Sequence, residues 1–130
     1  MDNCWTFKVF MDKGTNVIEN WLASLPPDIR ARIGTFLVHM ANERNWVRPY
    51  FDKLKGYENL YEIIIKSNIQ YRLLGCYGPG RREFTLLIGA TKSGASKRKS
   101  ATWNPKNARE IANRRSKLIF EDGSYTDEYY

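Results

Sequence analysis

Glu62, Lys66, Arg72 and Lys92 combine the kinds of side chain that phosphate chemistry calls for. A guanidinium presents a planar fork of donors matched to phosphate oxygens. A lysine transfers protons efficiently when crowding by other cations draws its pKa towards the working pH, and a carboxylate is the alternative base. Glu62 also has a plainer reading, as the partner that neutralises Arg72 or Lys66. The acid and the base stay unassigned among Glu62, Lys66 and Lys92, and strands must bring these residues together.

The positioning elements lie between Lys53 and Cys76, KLKGYENLYEIIIKSNIQYRLLGC, where two strand-like runs flank a short polar turn. Alternation places Tyr61, Ile63, Ile65, Tyr71, Leu73, Gly75 and Tyr77 on one face and Glu62, Lys66, Gln70 and Arg72 on the other. Register decides whether that separation survives pairing, because a slip of one residue sends a strand's side chains to the opposite face. A two-residue turn at Ser67 and Asn68 sets Arg72 across from Ile63, whereas a three-residue turn through Ile69 pairs Arg72 with Ile64 and joins it to Glu62 and Lys66. The second register segregates polar from apolar side chains and is the one expected.

A chain of 130 residues fits one domain, with a core that needs no metal or disulfide staples. The apolar share of 42% and aromatic share of 14% are those of an ordinary globular core. A net charge of +7 points to a polyanionic partner, nucleic acid before an anionic membrane, since no basic amphipathic segment has a broad apolar face. Cys4 and Cys76 stand far apart and outside any Cys/His cluster, so neither a zinc site nor a disulfide framework is expected. No cofactor is expected either. The start MDNCWTFKVF is too short and polar for a secretory signal, and no apolar run reaches membrane-spanning length, so a cytoplasmic protein without membrane association is expected.

The frame around the strand pair reads in order. Trp5 to Met11 is a first strand with its turn at Asp12, Lys13 and Gly14, and Thr15 is the expected cap of a helix that buries Ile18, Trp21 and Leu22. Pro26, Pro27 and Asp28 start a second helix, with Ile29, Ile33, Phe36, Leu37 and Met40 on its apolar face and the single histidine, His39, near that face's edge. Asn45 to Asp52 reads as an irregular connector pinned by Trp46, Tyr50 and Phe51. Arg82 to Thr91 supplies a buried central strand that completes a three-stranded meander. Lys92 to Lys106 is expected to be a mobile basic loop, in which Trp103 either stacks on a base or anchors the loop. Pro105 opens a last helix with Ala108, Ile111, Ala112 and Ile119 inward and Arg109, Arg114, Arg115 and Lys117 outward. The domain then covers residues 1–120, and the acidic tail 121–130 is expected to lack regular structure.

WLASLPPDIRARI at 21–33, RPYFDKLKG at 48–56, LYEI at 60–63, YRLL at 71–74 and REIANRR at 109–115 follow one another in an order that resembles the RelE/ParE toxin superfamily. The likeness is to its HigB-like branch, which includes phage-derived proteins. It implies an α+β fold: an N-terminal strand, an αα-hairpin, a curved and mostly antiparallel sheet of about four strands, and a C-terminal helix. It also implies the toxin of a toxin–antitoxin pair that enters the ribosome and cuts messenger RNA, with a helix-turn-helix protein as the antitoxin. Arg72 matches the arginine of the family's YR segment, and Lys92 matches a basic residue at the end of the last strand. Ile64 departs from the pattern, standing where relatives often carry a cation, while Lys66 follows on the same face.

Metal-independent RNA cleavage uses the 2′-hydroxyl as internal nucleophile, so cations preorganised around the phosphate supply the largest expected contribution. Arg72 is the expected phosphate stabiliser, with Lys66 and Lys92 as supporting cations. Lys53, Lys55, Lys97, Arg98, Lys99, Arg114 and Arg115 are the expected contacts to RNA phosphates. Two rival readings remain: a non-enzymatic, gyrase-binding toxin of the ParE kind, and a catalytically silent phage-derived RNA-binding protein.

Overall fold

The structure, a computed structural model, describes residues 3–93 and 102–129. Strand β1 (Thr6–Asp12) turns back through Lys13 and Gly14 into β2 (Thr15–Asn16). Both turn residues have positive φ, 49° and 82°, as the two-residue hairpin turn that matches strand twist requires. Helix α1 (Val17–Ala23) follows, capped by Asn16, whose Oδ1 accepts from the amides of Ile18 and Glu19. Thr15, the expected cap, is paired with Asp12 in the hairpin instead. Helix α2 (Pro27–Asn42) starts at a proline, which costs a helix nothing in its first turn.

The remaining elements are β3 (Phe51–Lys53), β4 (Tyr61–Lys66), β5 (Gln70–Tyr77), β6 (Glu83–Ser93), β7 (Thr102–Asn104), α3 (Ala108–Glu121) and β8 (Thr126–Glu128), with a 3-10 turn at Gly123–Tyr125. The sheet runs β2-β1-β6-β5-β4-β3, with β7 beside the end of β6 and β8 beside β1. The pairing of β1 with β6 is parallel, and every other pairing is antiparallel. The four long strands are the four that the sequence led one to expect, β4 and β5 from alternation, β1 and β6 from their apolar and aromatic runs. The additional four have two or three residues each, too few to show a period.

Three of those short strands change the picture of segments expected to be irregular: β3 starts inside the Asn45–Asp52 connector, pairing Phe51 with Ile63 and Asp52 with Glu62. Within the basic segment, β7 pairs with residues 91–93 of β6. In the acidic tail, β8 pairs with Lys8, Val9 and Phe10, Tyr125 stacks on Phe10 at 5.7 Å, and the Tyr129 amide donates to Phe7 O. The tail is therefore a strap along β1, whose backbone groups there need partners as any sheet edge does.

Each face of the sheet has its own core. Phe7, Val9, Ile63, Ile65, Leu73, Phe84 and Leu86 pack with Ile18 and Leu22 of α1 and Ile29, Ile33, Leu37 and Met40 of α2. On the opposite face Phe10, Leu74, Cys76, Ile88 and Ala90 pack under Ala108, Ala112 and Ile119 of α3. Gly89 brings α1 close to β6, because a Cβ there would run into the Trp21 ring. Gly34, inside α2, has only the Tyr129 hydroxyl at 3.9 Å from an added Cβ. Gly89→Ala is expected to lower unfolding free energy by about 1–3 kcal/mol through overpacking. Gly34→Ala should raise it by about 0.4–1 kcal/mol through chain entropy and helix propensity. Urea denaturation of the two variants checks both signs.

Candidate active site

The β4–β5 ladder pairs Lys66 with Gln70, Ile64 with Arg72 and Glu62 with Leu74. This is the register of the three-residue turn, closed by the Ser67 amide donating to Ile69 O at 3.0 Å. Continuing across the sheet, Gln70 faces Lys92, Arg72 faces Ala90, and Lys92 faces Trp103. Three parallel rows result on the face that carries α3. One holds Lys66, Gln70, Lys92 and Trp103, the next Ile64, Arg72 and Ala90, and the third Asp52, Glu62, Leu74 and Ile88.

That face is covered as well as charged. Arg72 is 7% exposed and Glu62 8%. The Arg72 guanidinium donates through Nη1 to Glu62 Oε1 and through Nη2 to Gln70 Oε1, while its Nε has no hydrogen-bond partner among the described residues. The Trp103 ring, itself 8% exposed, has Arg72 Cζ at 5.9 Å, Lys92 Nζ at 4.9 Å and Arg109 Cζ at 6.0 Å from its centroid. Of the two readings of Trp103, the anchor describes the geometry, since a ring so covered offers little surface to a base.

Burial pushes the Glu62 carboxyl above the usual 4.5, against the opposing charges of Arg72 and Lys92. Burial, then the charge of Arg72, pulls the Lys92 ammonium below its usual 10.5, partly offset by Glu62. The two shifts run towards each other, the carboxyl upward and the ammonium downward.

The other expected residues divide by position. Lys66 is exposed at the outer end of its row. Lys53 pairs with Tyr61, which puts its side chain on the opposite face from Arg72, and Lys55 is exposed in the turn after β3. Arg114 is exposed on α3. Arg115 does not decorate the outside: its Nη1 donates to Leu87 O at 2.7 Å and its guanidinium lies 4.9 Å from the Phe10 ring centroid. A bulge in the β5–β6 ladder leaves Leu87 without a cross-strand partner, and Arg115 satisfies its carbonyl. Lys97, Arg98 and Lys99 lie outside the described residues. Arg109, expected as one outward cation among several on the last helix, is exposed there and also lies against the Trp103 ring.

An open mixed sheet with an αα-hairpin on one face and a single helix on the other, over a buried Arg–Glu pair, has the α+β architecture of a toxin fold. Residues 20–117, about three quarters of the chain and all the site residues within it, match the model of the family "Phage derived protein Gp49-like (DUF891)". The chain belongs to this family, a RelE/ParE-like toxin family. No curated protein and no solved structure matches the chain. Among the described residues, no helix is long and apolar enough to cross a membrane.

Removing one partner of a buried ion pair strands the other, so Glu62→Ala is expected to cost about 3–5 kcal/mol in urea unfolding. Glu62→Gln keeps an acceptor for Arg72 and should cost less. Because the folded carboxyl titrates above its unfolded value, the parent's stabilisation from this group is complete below pH 4.5 and is lost as pH rises through the raised folded pKa. The cost of Glu62→Gln should therefore shrink between acid and neutral pH, and denaturation curves at several pH values read that trend.

Proposed function

We propose that this chain is the toxin of a toxin–antitoxin pair, of the HigB-like kind, and that it is a ribosome-dependent endoribonuclease acting on messenger RNA without a metal. The observation that carries the reading is the cross-strand register that gathers Arg72, Glu62 and Lys92 on one face beside exposed cations. In it, Glu62 holds the Arg72 fork in place and Arg72 supplies fixed positive charge behind the scissile phosphate, in a dry setting where such charge acts most strongly. Lys92, half-buried and with a depressed pKa, donates a proton to the leaving 5′ oxygen as the 2′ oxygen, its own proton passing to solvent water, attacks phosphorus and the P–O5′ bond breaks to leave a 2′,3′-cyclic phosphate. Exposed Lys66 and Arg114 meet neighbouring phosphates, and the net charge of +7 favours approach to a ribosome coated in RNA. A helix-turn-helix antitoxin partner remains part of this proposal.

Expression in growing bacteria tests it. The parent should stop growth and cut translated messages, and Arg72→Met should lose about a hundredfold or more of that cleavage. Met leaves Glu62 unpaired, so circular dichroism of the purified variant establishes that it is folded before its activity is read. Full toxicity in folded Arg72→Met, or arrest with messages intact, would refute the proposal.

In cleavage assays on programmed ribosomes the parent's rate should fall at alkaline pH, with a midpoint below the usual lysine value of 10.5, as Lys92 loses its proton. Lys92→Arg, which keeps charge but transfers protons poorly, should be slower by about a hundredfold and lack that alkaline limb.

A further inference from the structure

Three cations from three elements meet at one indole. Lys92 comes from β6, Arg72 from β5 and Arg109 from the first turn of α3, at 4.9, 5.9 and 6.0 Å from the Trp103 centroid. Their charges repel one another, and the negative face of an aromatic ring offsets part of that repulsion. The ring is itself held, because β7 is hydrogen-bonded to β6 with Trp103 directly opposite Lys92, and its side chain belongs to the core beneath α3.

Arg109 is not explained by helix stability. A cation in the first turn opposes the helix dipole, where an acidic side chain such as that of neighbouring Glu110 is the favourable kind. Arg109 is also exposed, Lys92 half-buried and Arg72 buried, so an anion arriving from solvent meets Lys92 and Arg109 first.

We infer that Trp103 is a positioning residue that sets Lys92 and Arg109 side by side as a seat for one RNA phosphate, with Arg109 a phosphate-binding residue of the site. This rests on the RNA-cleaving reading of the same site. The seat combines a guanidinium fork with a compact ammonium, so Arg109 grips the phosphate oxygens while Lys92 supplies the proton for the leaving oxygen.

The test is binding of the full chain to a fluorescein-labelled single-stranded oligoribonucleotide across a salt series, alongside ribosome-dependent cleavage. Arg109→Gln should bind several-fold more weakly, with a log–log salt slope shallower by about 0.7, the value for one phosphate contact on a single strand. Trp103→Leu removes no charge and yet should show the same loss of slope, while Trp103→Phe should keep the parent slope. A packing defect alone would not move the slope. An unchanged slope in folded Trp103→Leu, or an equal loss in Trp103→Phe, overturns the seat while leaving the parent's cleavage, and so the functional reading, intact. Should Trp103→Leu fail to fold, Arg109→Gln decides alone, and an unchanged slope overturns the inference. A parent that neither binds RNA nor cleaves messages overturns both.

Discussion

The positive charge of Arg72, held under a helix and a tryptophan, is the constraint around which one face of this sheet is built. Taking an ion out of water costs several kcal/mol even after the surroundings relax. Here that cost is met by one carboxylate, one amide oxygen and one aromatic face. Each source of compensation imposes a requirement elsewhere. Glu62 must share Arg72's face, which only the three-residue turn allows; Gln70 must lie two residues before Arg72 on the same strand; and β7 must pair with β6 to bring the ring across. Ala90, opposite Arg72, has no side chain large enough to compete for the space.

Such a pair is a poor device for stability. Well-packed apolar residues in place of a buried ion pair are often neutral or stabilising by about 1–4 kcal/mol. The Arg72 Nε, which has no partner among the described residues, adds to the cost, since a buried donor left unpaired keeps its desolvation penalty. The cluster holds the cations Arg72, Lys92 and Arg109 against the carboxylates Glu62 and Asp52, so positive charge is in excess on this face. That imbalance, more than the fold, is the physical case for a phosphate-directed site.

The strand pair was legible because its period, its polar turn and its charges all agree on one register. What lies over the charged face was not legible, since alternation tells which side chains share a face and nothing about what covers it. Leu74, Cys76, Ile88 and Ala90 take part in α3's core, and they are interleaved with Glu62, Arg72 and Lys92 on the same side. A reading that assigns the charged residues to solvent therefore misses their burial. The inward turn of Arg115 was hidden for a different reason: it answers a bulge at Leu87, and a nearly continuous apolar run such as REFTLLIGAT carries no mark of where a ladder shifts. Strands of two or three residues fall below any periodic signal, which is why the tail's pairing with β1 came only from the structure.

The division of labour along β6 follows from these contacts. Its first half, from Glu83 to Leu86, is held by parallel pairing with β1, which the tail strap covers in turn. Its last three residues, from Thr91 to Ser93, are held by β7, and between the two the Arg115 side chain takes the place of a strand at Leu87. The supporting half lies on elements mostly outside the family match, since β1 and β8 fall beyond residues 20–117. The site-bearing half lies entirely within it. Lys92 sits at the end whose partner beyond β5, among the described residues, is a three-residue strand, and a three-residue ladder is weak unless a side chain is buried with it. Trp103 is that side chain, so the same ring that gathers the cations also fixes the strand that holds Lys92 in register.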